Sequence, residues 1–125
     1  MFFHQDDFGL LVNLTQLSFW KFIITPQAAH FEPIMLSIWW VFFKIFHLNF
    51  LPYLLFNWGV HFLTTLVLGK IVWEISHKKI AVFIAVAIFI INLTYTEVLL
   101  TMNGSPLAML FIALAFLYWG RHGAR

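Results

Sequence analysis

The chain has 125 residues, of which 62% are hydrophobic, 20% are aromatic and only 10% are charged. Soluble domains carry about 25% charged residues, so this composition excludes an ordinary water-soluble globule and indicates a membrane protein. The absence of cysteine excludes disulfides, thiolate metal sites and cysteine nucleophiles, and the net charge of +2 is too small to indicate a nucleic-acid partner.

The first fifty residues predict an extracytoplasmic leader built from short helices at the membrane surface. Residues 8–17 and 18–24 are apolar with regular polar interruptions, which favours two short amphipathic helices. Pro26 ends the second, because proline disfavours helical geometry in the residue before it. Residues 34–48 are apolar but too few to cross a bilayer, so they predict an interfacial helix that stops at Asn49 and Pro52.

The remainder, residues 51–125, predicts three transmembrane helices in an all-α membrane bundle. The spans cover residues 51–75, 80–96 and 98–120, and a basic loop at 77–79 joins the first two. The third span is interrupted before Pro106, a residue that favours a fresh helix start.

The charges predict an orientation for these spans. Alternation of the spans places four basic residues on one side, Lys78, Lys79, Arg121 and Arg125, and the positive-inside rule makes that side cytoplasmic. Except for Glu74, the acidic residues fall on the opposite side. We therefore expect an integral protein of a bacterial inner membrane or an ER-type membrane, with an extracytoplasmic N-terminal segment. Because no span precedes that segment, we also expect a piece of a longer protein that lacks an upstream helix.

The adjacent acids Asp6 and Asp7 are the first candidates for chemistry. Placed outside a membrane, they could activate a hydroxyl as a general base or help to hold a divalent cation. Mutual repulsion raises the pKa of one of two neighbouring carboxyls, which suits a base that works near neutral pH. The alternative is a solvated leader with two ordinary acids.

Five further polar residues each have a functional and a structural interpretation. Glu97, at the outer end of the second span, either faces water or belongs to a site. Asn57 and His61 lie four residues apart on one helix face and predict a structural polar pair between helices, with a direct site role as the alternative. His30 and Glu32 precede Pro33 and either share a ligand or form an ordinary helix-start turn. The six histidines are scattered and form no zinc set.

The order of these segments resembles the N-terminal part of GT-C membrane glycosyltransferases, in the group of protein O-mannosyltransferases and bacterial family 39 enzymes. In that family an acidic pair opens the first outer loop, a His-aromatic-x-Pro segment precedes a juxtamembrane helix, and a Thr-Glu-Ala-Val segment follows the third span. The match extends over nearly all 125 residues and uses these segments: Asp6-Asp7, His30-Phe31-Glu32-Pro33, Phe46-His47-Leu48-Asn49-Phe50-Leu51-Pro52-Tyr53, Asn57 with His61, and Tyr95-Thr96-Glu97-Val98.

The resemblance implies transfer of a sugar from a polyprenyl-phosphate donor to a hydroxyl acceptor, with Asp6 or Asp7 as catalytic base. It also implies that His30 and Glu97 contact the substrate. It implies no defined cofactor: a divalent metal is possible, but the residues do not require one. Met102-Asn103-Gly104-Ser105-Pro106 departs from the family's Trp- and Arg-containing segment. We expect the chain alone to be inactive, with the remaining helices supplied by the rest of the enzyme or by a partner subunit. The alternative is a small non-catalytic membrane protein, such as a carrier or flippase of lipid-linked sugars or an assembly subunit.

Overall fold

The computed structural model of the chain describes residues 5–26, 31–91 and 105–122. All of these residues lie in α-helices or in the turns that join them, so the all-α part of the prediction is confirmed for the described residues. The helices are α1 Gln5–Gln16, α2 Phe19–Ile24, α3 Pro33–Phe46, α4 Phe50–Ser76, α5 Lys79–Ile91 and α6 Ser105–His122.

The helices of the leader end where the sequence predicts. The two short helices α1 and α2 are separated at Leu17 and Ser18, and the amide of Leu17 closes the last turn of α1 by donating to the carbonyl of Asn13 at 2.9 Å. Helix α2 ends at Ile24, two residues before Pro26. Helix α3 then starts with Pro33 in its first turn, where the missing N–H of proline has no partner to lose.

The corner between α3 and α4 differs slightly from its prediction. Helix α3 already ends at Phe46, and His47 adopts a positive φ of 51° that turns the chain. Asn49 then caps α4, because its side-chain oxygen accepts the amide of Leu51 at 3.2 Å. Pro52 therefore does not stop a helix; it lies in the first turn of α4, where a backbone N–H is not needed.

The hydrophobic core joins the leader to the first predicted span. Its buried members come from four helices: Leu11 and Leu14 in α1, Phe22 in α2, Met35, Leu36 and Trp39 in α3, and Tyr53 in α4. Aromatic rings dominate its centre, where the Trp39 ring lies 5.4 Å from that of Tyr53 and 5.6 Å from that of Phe56. The predicted boundary at residue 50 thus separates two segments that share one core.

Helices α5 and α6 both pack against α4. His77, in the left-handed conformation, ends α4 and reverses the chain, and its amide donates to the carbonyl of Trp73 at 2.9 Å. Helix α6 lies parallel to α4, since Leu107 at its start packs on the core and Arg121 at its end contacts Glu74.

One helix among the described residues, α4, is long and apolar enough to cross a membrane. Its 27 residues correspond to about 40 Å, more than the roughly 30 Å of a bilayer's hydrocarbon core. Helix α5 is apolar but has 13 residues, and the predicted second span continues beyond the described part of the chain after Ile91. Helices α4, α5 and α6 overlap the three predicted spans, but among the described residues only α4 has the length and hydropathy of a span, so the membrane bundle stays a prediction.

Candidate functional site

Asp7 is buried on the inner face of α1. It lies one turn before Leu11 and two turns before Leu14, so the three side chains form one stripe along the helix. This stripe faces the core, and Asp7 is only 3% exposed to solvent. The interpretation of this carboxylate as part of a solvated tail is therefore wrong. The backbone of Asp6 belongs to α1, but its side chain lies outside the described part of the structure.

A second set of buried polar side chains follows the inner face of α4. Asn57 is 2% exposed and lies one turn after the core residue Tyr53, as Asp7 lies one turn before the core residue Leu11. Further along, the buried hydroxyls of Thr64 and Thr65 donate to carbonyls one turn back in their own helix, at 2.9 and 2.8 Å. These threonines thus satisfy their own hydroxyls and need no partner from another helix.

His61 packs between α4 and α5 by its ring rather than by charge. The imidazole stacks on the ring of Phe89 with centroids 4.9 Å apart and 20° between the planes. Asn57 and His61 occupy neighbouring turns of α4, as predicted, and both side chains turn away from solvent at least in part. A hydrogen bond between the two stays a prediction, as does a site role for either.

Tyr53 also belongs to this inner face, although no role was predicted for its side chain. Its side chain is 1% exposed, and its hydroxyl donates to the carbonyl of His47 at 2.8 Å. The bond ties the start of α4 to the irregular turn before it. The spacing in the sequence could have indicated its place on this face, because Tyr53, Asn57 and His61 recur every four residues on one side of the helix.

The other residues of the predicted site are only partly accounted for. Glu32 precedes α3 as its N-cap, and its carbonyl accepts the amide of Leu36 at 2.9 Å, so the predicted helix start is confirmed at this residue, while a ligand shared by His30 and Glu32 stays a prediction. His30 and Glu97 lie outside the described residues. Across residues 5–26, 31–91 and 105–122, no three His, Asp or Glu side chains come together in a set able to hold a metal ion.

The far end of α4 carries an ion pair that the sequence did not indicate. The Arg121 guanidinium of α6 contacts the Glu74 carboxylate of α4, and its Nε donates to Glu74 Oε1 at 3.0 Å. Both side chains remain partly exposed. Because the partners are 47 residues apart in the chain, the pair holds the ends of α4 and α6 at one level.

An apolar groove of about 530 Å³ runs beside this ion pair, between α4 and α6. From here on it is called the α4–α6 groove. Aliphatic and aromatic side chains supply nearly all of its walls, with Phe89 of α5 closing one side. The α4 wall runs from Thr64 to Ile75, and the α6 wall runs from Met109 to Gly120.

No protein-family profile, curated protein or solved structure matches this chain. The resemblance to GT-C glycosyltransferases therefore rests on the order of its short motifs. Beside it stand the physical features of the described residues: a buried acid on α1, a buried polar face on α4 and an apolar groove at the opposite end of α4.

Proposed function

We propose that this chain is the N-terminal module of a membrane glycosyltransferase. The module would serve transfer of a sugar from a polyprenyl-phosphate donor to a hydroxyl acceptor on the extracytoplasmic face. The observation that carries the proposal is the burial of Asp7, one of the two neighbouring acids that the ordered motifs independently mark as the catalytic base.

The pattern of exposure supports placement in a membrane. Only 28% of the apolar stretch of α4 is buried within the chain, whereas the central helix of a soluble protein would be mostly covered. Large apolar side chains are exposed on α4, α5 and α6, among them Phe62, Leu66, Ile88 and Phe116. Contiguous apolar surface of this kind marks contact with lipid or with other helices.

Burial of Asp7 favours a task for this carboxylate. Removing an ionised carboxylate from water costs several kcal/mol unless other groups compensate, and acids are therefore rare among apolar side chains. Leu11 and Leu14 continue the stripe to which Asp7 belongs, so the carboxylate stands at the end of an otherwise apolar face. Buried ionisable groups cluster at functional sites, which makes Asp7 a functional candidate.

The proposed reaction is an inverting displacement at the anomeric carbon. The acceptor hydroxyl oxygen forms the new bond to this carbon while the carboxylate of Asp7 takes the hydroxyl proton. The bond between the anomeric carbon and the phosphate oxygen breaks, and the electron pair leaves with the polyprenyl phosphate. Asp6 is the neighbouring candidate for the same proton, and His30 and Glu97 are the proposed substrate contacts.

The test is a transfer assay on membranes in which Asp7→Asn is placed in the native gene, so that every helix of the protein is present. Radiolabelled polyprenyl-phosphate hexose is supplied, and label in the acceptor fraction is normalised to folded protein. We expect transfer to fall at least about 100-fold, since a general base contributes 10²–10⁴ to a rate. The matched control is Thr15→Val on the exposed face of α1, which removes only a hydroxyl bonded to its own helix.

Three results separate the alternatives. Loss of transfer in Asp7→Asn with normal protein abundance supports the proposal. Loss in Asp6→Asn alone would move the base one residue along the chain. Undiminished transfer in both variants would remove the catalytic role of the acidic pair and with it the observation that carries the proposal.

A further inference from the structure

The length of the α4–α6 groove corresponds to one leaflet of a bilayer. From Thr64 to Glu74 the α4 wall advances ten residues, which is about 15 Å of helix. Half of a hydrocarbon core of roughly 30 Å has the same depth. A groove with apolar walls and this length fits an extended acyl chain lying along the helices.

The charges at one end of the groove are predominantly positive. Glu74 lines the groove there and is held by Arg121, and Lys70 lies one turn before Glu74 on α4. Lys78 and Lys79 follow at the turn into α5, and both are exposed. Since Glu74 is already engaged by Arg121, the lysines at this end leave an excess of positive charge at headgroup level.

We propose that the α4–α6 groove binds an anionic glycerophospholipid of the leaflet at this end, with one acyl chain in the groove and the phosphate beside Arg121 and Lys70. The inference rests on the membrane placement proposed above but not on sugar transfer, since the groove lies at the end of α4 opposite to the core. A phosphate there would complement the positive excess. A second copy of the chain would bring the same positive end against itself, which disfavours a dimer across this groove.

The experiment is native mass spectrometry of the full chain, purified in mild detergent and titrated with phosphatidylglycerol or with phosphatidylcholine of the same acyl chains. We expect phosphatidylglycerol to be retained at least about five-fold more tightly, because one basic side chain near an anionic headgroup is worth about a factor of five. Arg121→Gln, which removes one of these charges, should weaken phosphatidylglycerol binding by a similar factor and leave phosphatidylcholine binding unchanged.

A filling variant tests the groove itself. Ala113 lines the groove on α6, so Ala113→Phe should occupy it and abolish retention of the lipid. Ala115, two residues further along α6, is exposed and does not line the groove, so Ala115→Phe adds the same bulk outside it and should leave retention intact. Circular dichroism of both variants establishes that the helices have formed.

The outcomes are distinct. Equal retention of the two lipids, or the same retention in Ala113→Phe and Ala115→Phe, would overturn the inference, as would a dimer that Ala113→Phe dissociates. Should Ala113→Phe fail to fold, the lipid preference of the Arg121→Gln variant decides alone. Release of the unmodified chain from membranes by alkaline carbonate would refute the membrane placement itself, whereas a chain that resists carbonate but lacks lipid preference refutes only this inference.

Discussion

The sharpest prediction is that cysteines placed in the leader, in the middle of α4 and at the end of α6 will react according to membrane depth rather than according to exposure within the chain. The protein contains no cysteine, so each introduced thiol is the only one present. We choose three positions that the structure describes as exposed: Ser18 between α1 and α2, Leu63 in the middle of α4, and His122 at the end of α6. Each is replaced by cysteine in the otherwise unchanged chain.

Leu63 is the informative position. It lies 13 residues after Phe50, or about 20 Å along a helix of about 40 Å, and its side chain is 51% exposed. In a soluble protein, Leu63→Cys would therefore react with a charged maleimide about as fast as Ser18→Cys. In a bilayer the same site lies in hydrocarbon, where an ion costs about 3 kcal/mol, so labelling should be about 100-fold slower.

The assay measures labelling rates in sealed vesicles and again after detergent is added. The proposed orientation predicts that Ser18→Cys and His122→Cys react from opposite sides, and that detergent restores only the thiol facing the vesicle lumen. Fast labelling of Leu63→Cys in sealed vesicles would show that α4 is the helix of a water-exposed fold. Equal labelling of both positions from one side would refute an odd number of crossings between Ser18 and His122 but would leave the span of α4 itself intact.

Two further predictions concern the stability of the fold. Trp39→Ala should lower the free energy of unfolding by about 3–5 kcal/mol, because Trp39 is fully buried among aromatic rings. Trp20→Ala, at a position 71% exposed, should change it by about 0.5 kcal/mol or less. Chemical unfolding in detergent measures both free energies, and equal effects would show that the described core is wrong. His47→Gly should stabilise the protein more than His77→Gly. Both histidines have a φ of 51°, but the ψ of −129° at His47 lies in a region that residues with side chains avoid, at a strain of about 1–3 kcal/mol. If the thermal midpoint rises no more in His47→Gly than in His77→Gly, the strain argument is wrong.

Helix positions could be predicted because the signals that set them are local. Pro26 ends α2 and Pro33 starts α3 by removing backbone N–H groups and restricting φ, whatever the rest of the chain does. Asn49 starts α4 through a bond to an amide two residues away. Two assignments in this region differ from the structure: α1 starts at Gln5, before the predicted range of residues 8–17, and Pro52 occupies the first turn of α4 instead of stopping a helix.

The site was harder to predict because its features depend on contacts between distant segments. The spacing of Asp7, Leu11 and Leu14 along the sequence puts them on one helix face, but whether this face meets water or the core depends on the packing of α1 against other helices. The pair of Glu74 and Arg121 joins residues 47 apart, and no local pattern selects that partner over Lys70, which lies four residues from Glu74. Spacing gives the face of a helix, and tertiary packing decides what that face meets.

The aromatic side chains of the leader bear on where the buried acid would work. Trp20 is largely exposed, and the Lys44 ammonium lies 5.0 Å from the centre of the Trp40 ring, so this layer presents aromatic and basic groups together. Such groups settle at the headgroup region of a bilayer. The core that α1 to α3 form with the start of α4 would then lie at that level, and Asp7 with it. A polar acceptor from water and a donor carried by lipid both have access to this depth, and the proposed transfer requires that the side chains covering Asp7 move aside to admit them. An acid in the middle of α4 would exclude the acceptor, and one in the open solvent would exclude the donor.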